Sequence, residues 1–114
     1  PNIVSVTTIT GKTAVQAVGT SATAIVTNSG SSGKVIKVNA LYVSNVDGTN
    51  NADITVDVYR SSTPYRLAYT VVVPADAVLD VISKSFYLEE GDSLRLTASA
   101  TGDLEAVCSY EEIS

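Results

Sequence analysis

The sequence predicts an all-β fold, a single antiparallel two-sheet β-sandwich of jelly-roll or immunoglobulin-like type. Three observations predict it. The apolar residues are mostly Val, Ile, Leu and Ala set among many Ser and Thr, a β-branched, hydroxyl-rich usage that fits a pleated surface better than a helix. Short runs that alternate apolar and polar residues recur along the chain, separated by clusters of Gly, Pro, Asn, Asp and Ser, and such a series reads as a sandwich or barrel. No window carries a helical period.

The C-terminal stretch is the clearest element. Leu94, Leu96, Ala98 and Ala100 alternate with Ser93, Arg95, Thr97 and Ser99. Thr101-Gly102-Asp103 then supplies a turn, and Leu104, Ala106, Cys108 and Tyr110 alternate with Glu105, Val107, Ser109 and Glu111. Period two on both sides of a short Gly-containing turn predicts an antiparallel hairpin with one buried face, fed by the turn Glu90-Gly91-Asp92.

The upstream elements follow in order. Asn2–Thr10 reads as an N-terminal β arm, residues 1–10 in all, with apolar residues on both faces and a break at Gly11-Lys12. Thr13–Val18 and Ala22–Thr27 read as two short strands around Gly19-Thr20-Ser21, and residues 28–33 as a loop. Lys34–Ser44 is the longest strand candidate, and residues 45–51 form a polar loop. Ala52–Arg60 alternates cleanly, with Ile54, Val56 and Val58 on one face and Asp53, Thr55, Asp57 and Tyr59 on the other. A turn at Ser61–Pro64 leads to Tyr65–Val73, with Tyr65, Leu67, Tyr69, Val71 and Val73 assigned to one side. Pro74 ends that strand because proline cannot continue a central ladder. Val78–Ile82 and Ser85–Leu88 are short strands. The shared period predicts that Ile54, Val56, Val58, Leu94, Leu96, Leu104 and Ala106 are buried together, and Tyr42 and Tyr87 are assigned to the core.

Residues 1–114 suit one domain with one modest core. The net charge of −5, with seven scattered basic residues, argues against a nucleic-acid partner, because phosphate neutralisation needs clustered Lys and Arg. No long apolar run predicts a membrane span, and no basic-then-apolar leader is present. Synthesis in a cytoplasm is the expectation. The single cysteine, Cys108, has no partner for an intrachain disulfide, and its place among apolar neighbours predicts a buried core residue.

Motif by motif, the chain offers no catalytic, cofactor-binding or metal-binding assignment. Gly91-Asp92-Ser93-Leu94 spells the nucleophile motif of a family of lipases and esterases, but that chemistry deprotonates the serine with histidine, and the chain has none. The α/β surroundings of such a motif are missing as well, so a turn before a strand is expected. Ser31-Ser32-Gly33-Lys34 fails as a phosphate loop, with Asn28 where glycine is required and Val35 in place of the hydroxyl. Asp47, Thr49, Asn51 and Asp53 have the spacing-by-two of a calcium loop within residues 45–53. The loop lacks the central glycine and has Val58 where the bidentate glutamate belongs, so a turn-rich hairpin loop is expected. Glu89-Glu90 and Glu111-Glu112 read as solvated charge. Tyr59, beside Asp57 on a polar face, is the one lead for an exposed aromatic contact.

Three stretches, PNIVSVTTITGKTAV, LYVSNVDGTNNADITVDVY and YLEEGDSLRLTASATGDLEAVCSYEEIS, together cover most of the chain. They resemble a family of small virion structural proteins of tailed bacteriophages, especially phages of marine cyanobacteria. The resemblance implies a non-enzymatic β-sandwich present in many copies on the particle, first as a capsid decoration or cement protein. The implied partners are the major capsid protein or other virion proteins, together with further copies of the chain in a homo-oligomer, expected to be a trimer. No cofactor is implied. The implied location is the virion, after synthesis in the host cytoplasm. Tail, neck and fibre positions are alternatives within the same reading, and a carbohydrate- or host-binding sandwich with a tyrosine platform is the alternative outside it.

Overall fold

A computed structural model describes residues 1–114 and shows the expected sandwich. Its strands are β1 (Ile9–Ala17), β2 (Thr23–Thr27), β3 (Val35–Asn45), β4 (Ala52–Arg60), β5 (Thr63–Val73), β6 (Val78–Asp80), β7 (Phe86–Leu88), β8 (Ser93–Ala98) and β9 (Leu104–Ile113). One sheet has the order β1-β9-β3-β6, with β7 also on β3; the other has the order β2-β8-β4-β5. Every pairing is antiparallel. The chain wraps as nested pairs, β1 with β9, β2 with β8, β3 with β6 and β7, and β4 with β5, and these pairs alternate between the sheets. That alternation is the wrapping of a jelly roll, and it decides between the two sandwich types the sequence allowed.

The core lies between the sheets and is aliphatic. Ile54, Val56, Leu94, Leu96, Leu104 and Ala106 all belong to one cluster of 18 buried residues, with Val58 packed against it half-buried. The predicted face of β4 and the predicted faces of β8 and β9 are therefore the buried ones. Strand β4 also begins and ends where the sequence placed it.

The C-terminal hairpin is a correction. Strand β8 pairs with β2 and β4, whereas β9 pairs with β1 and β3 in the opposite sheet. Residues 99–103 therefore arch from one sheet to the other, with Gly102 at φ +87°. Period two reports which side of a strand is buried. Two strands facing each other across a core carry the same pattern as two strands hydrogen-bonded side by side.

The N-terminal arm is a second correction. Ile3–Ser5 is a 3-10 turn capped by Asn2, whose side chain accepts from the Val4 amide. Gly11-Lys12 is no break, since β1 runs through it in unbroken register from Ile9↔Ile113 to Ala17↔Glu105. Ahead of β1, the Thr7 and Thr8 amides donate to the Ser114 carbonyl, and the Ser114 amide donates back to Thr8. Residues 1–8 are thus tied to the chain's own C-terminus. Ile113 sits on the outward side of β9 by alternation yet is buried, as is Val35 opposite it. Pro1 and Ile3 line a hollow of about 490 Å³ with Val35 and Tyr87, which places the N-terminal segment over that corner of the sheet.

Bulges account for the remaining differences. Between Val38 and Ala40 the register of β3 shifts, so that Val38 and Leu41, three residues apart, are both fully buried. Tyr42 consequently faces out, and Tyr87 does as well; neither is a core residue. Two register shifts between β4 and β5 break the single face assigned to Tyr65–Val73: Val73 is buried, whereas Tyr65, Leu67, Tyr69 and Val71 are exposed. Strands β4 and β5 are joined by a two-residue turn, Ser61-Ser62, with both residues at positive φ, as a type I′ hairpin requires.

Candidate functional site

Four of the seven basic side chains, Lys12, Lys34, Arg60 and Arg95, are drawn into ion pairs within the chain. Arg60, the last residue of β4, donates from Nε to Asp92 Oδ1 at 2.7 Å and from Nη2 to Asp92 Oδ2 and to Glu89. Asp92 is only 2% exposed, and its Oδ2 also accepts from the Glu89 amide at 2.8 Å. These bonds to the Arg60 guanidinium hold the Asp92 carboxyl below the usual carboxylate range. The GDSL turn is therefore a structural clasp, fixing the β7–β8 connection to the end of β4, and Gly91 takes φ +90° within it. Ser93 is the first residue of β8 and is half-buried.

Two more clusters lie on the sheets. On the outer face of β4 and β8, Arg95 donates to Asp57 at 2.9 Å and lies over the Tyr59 ring, 3.8 Å from its centroid. Asp57 is buried by this arrangement. At the end of the other sheet, Glu112 accepts from Lys12 and Lys34, each at 2.9 Å, and both bonds pull its carboxyl below the usual range. Glu111 accepts from Asn39 at 3.0 Å. The sequence assigned Glu89, Glu90, Glu111 and Glu112 to solvated charge; Glu89 and Glu90 are exposed, with Glu89 also bonded to Arg60, whereas Glu111 and Glu112 are half-buried and partnered. The partners lie 29 to 100 residues away in sequence, beyond what local spacing shows.

The two loops that resembled ligand motifs are held by hydrogen bonds of their own side chains, largely to backbone groups. Asp47 accepts from the Thr49 and Asn50 amides, Asn45 Oδ1 accepts from the Asp47 amide, and Asn51 accepts from the Ala75 amide. This is turn chemistry of the expected kind. Asp103 faces Asp47, and burial together with that neighbouring charge raises the Asp103 carboxyl above its usual range. In the loop at residues 28–33, the buried Asn28 side chain donates to the carbonyls of Lys34 and Leu88, closing the loop onto β7. Cys108 is fully buried as predicted, and burial pushes its thiol up to about 11.

Outside these clusters, several apolar side chains and one backbone edge are exposed. On the outer face of the β1 sheet, Val15, Val107 and Tyr42 form one cross-strand row, and they are 75%, 42% and 43% exposed. Val4 is 92% exposed on the N-terminal turn. Of the four sheet edges, β2 is short and bulged, β6 and β7 have three residues each, and β5 carries bulges, Pro64 and a left-handed Thr70. Strand β1 has nine consecutive pairs and none of these interruptions. The sequence placed the candidate contact strand at residues 2–10, where the structure has a 3-10 turn and a segment bonded to Ser114. The signal that marks β1 is the regular run TGKTAVQA, with neither proline nor a row of charges.

No protein-family model matches this chain, and no curated protein matches it. Among solved structures, it is similar to a Bacillus endospore appendage protein, from a family described as disulfide-linked pili, with a TM-score of 0.54 and 16% identity. The match covers 92% of this chain and 85% of the other. At that identity the likeness is one of fold.

Proposed function

We propose that this chain is a non-enzymatic structural protein of a tailed-phage virion, acting as a capsid decoration or cement protein that binds the shell as an oligomer. The observation that carries the reading is the division of its surface. Four of its seven basic side chains are held in ion pairs within the chain, while the exposed Val15–Val107–Tyr42 row and the regular β1 edge are left for contact. Such a surface suits burial against another protein better than recognition of a charged small molecule. The family resemblance of the sequence supplies the particle. Tail, neck or fibre placement draws on the same surface chemistry.

The glycan-binding alternative loses its best residue, because the Tyr59 ring face is occupied by Arg95. A disulfide-linked fibre, the assembly described for the structural neighbour, finds no reactive thiol in the folded chain, since Cys108 is buried. The reading is tested by mixing purified chain with phage shells stripped of it and sedimenting the particles. Saturable co-sedimentation at a fixed copy number per shell is expected; recovery of all the chain in the supernatant overturns the reading.

A further inference from the structure

We propose that β1 is a self-pairing edge: two copies of this chain join their β1 strands antiparallel about a two-fold axis, making one continuous sheet across the dimer. This deepens the reading of the chain as an assembly protein and rests on it. An open edge with regular hydrogen-bonding groups is a template for another strand, and proteins usually blunt such edges with bulges, prolines, shortness or charge. Three of the four edges here are blunted in those ways, and β1 is not.

A second copy fits this edge because the strand is complementary to itself. The register that overlaps all of Ile9–Ala17 centres on Thr13, setting Thr13 against Thr13, Lys12 against Ala14, Gly11 against Val15, Thr10 against Gln16 and Ile9 against Ala17. No like charges meet. Lys12 is the only charged residue of the strand, and it is already bonded to Glu112 of its own chain. Directly opposed Thr pairs are favourable on antiparallel sheets. The strand is also held in place from the core side. Gln16 bridges to the other sheet through Nε2, which donates to the Ala24 carbonyl, while its Oε1 is the one buried side-chain polar atom without a partner. A trimer would need β1 to meet a different, blunted edge.

Strand pairing alone gives a small interface, at the low end of about 1,200 Å² and below, so a reversible dimer is expected. Sedimentation equilibrium over a concentration series reads it, and single cysteines fix its geometry. Thr13→Cys places two thiols opposite each other at a Cα separation of about 4.5–5.5 Å, within the roughly 4.4–6.8 Å that a disulfide accepts. Val15→Cys is the control, because residue 15 faces residue 11 and not its twin. Expected are a concentration-dependent dimer, air-oxidised covalent dimer for Thr13→Cys only, and dimerisation weakened about tenfold or more by Thr13→Lys, which sets two like charges directly opposite each other across the axis. Circular dichroism confirms that each variant is folded. A monomer at all concentrations, a trimeric mass, or equal cross-linking of both cysteine variants overturns the proposal. Particle binding is read separately: a dimer that never binds shells leaves this pairing standing and removes the virion reading, and a monomer that coats shells does the reverse.

Discussion

Replacing Leu96 by alanine probes the sandwich at its centre. Leu96 is fully buried, directed into the core from β8, and flanked on both sides by hydrogen-bonded neighbours, Thr23 of β2 and Val56 of β4. The substitution removes three carbons from the core, a transfer loss of about 2.4 kcal/mol at roughly 0.8 kcal/mol per methylene. A cavity term adds to this, because strands held on both edges by their ladders cannot collapse into the space. The total lies at about 3–4 kcal/mol, within the range of buried Leu→Ala changes. Urea unfolding followed by tyrosine fluorescence measures it, with an unchanged m-value showing that the unfolding unit is the same. Val58→Ala, at a half-buried site of the same sheet, serves as the internal comparison and costs about 1 kcal/mol. If Leu96→Ala costs under 1 kcal/mol, or no more than Val58→Ala, the sheets do not face each other as described.

Further predictions follow from the clasp, the turns and the thiol. The Asp92 carboxyl is depressed in the folded state, so its contribution is present above the unfolded value and is lost as pH falls through the folded one; acid unfolding below about pH 4 should be less steep in Asp92→Asn, which is also destabilised at neutral pH. Asp103 has the opposite sign: its folded carboxyl is raised, so stability falls as pH rises through that range, and Asp103→Asn should gain thermal stability at pH 7 but not at pH 3. Replacing Ser61-Ser62 with Asn-Gly suits the two positive φ angles and should raise stability by about 1 kcal/mol, read as an increased urea midpoint; an unchanged midpoint counts against the type I′ turn. Cys108 should resist thiol reagents at pH 8 until the chain is unfolded, and rapid labelling of the native protein would place it outside the core.

Much of the fold was legible because burial and alternation are local properties. The Ile54–Val56–Val58 and Leu94–Leu96 faces and the bounds of β4 could be read directly, since each strand's period is written in its own residues. Sheet membership is not written there, which is why β8 and β9 read as a hairpin when they oppose each other across the core. A single inserted residue also resets the period: the bulge between Val38 and Ala40 turned Tyr42 outward, and those in β5 divided its apparent face. The pairs that organise the surface, Arg60 with Asp92 and Glu112 with Lys12, join residues distant in sequence, and charge composition alone gives no sign of them. The importance of β1 as an edge emerged only once the other three edges were seen to be interrupted.

The central proposal, a structural component present in ordered copies on a virion, is tested most directly by a cryo-electron microscopy reconstruction of tailed-phage particles assembled in cells that produce this chain. The account predicts jelly-roll density of about 50 × 26 × 20 Å on the shell at a fixed symmetry position, with the β1 side or the Val15–Val107–Tyr42 face against a neighbouring protein. Particles that contain no such density, from infections in which the chain is abundant in the lysate, would contradict it.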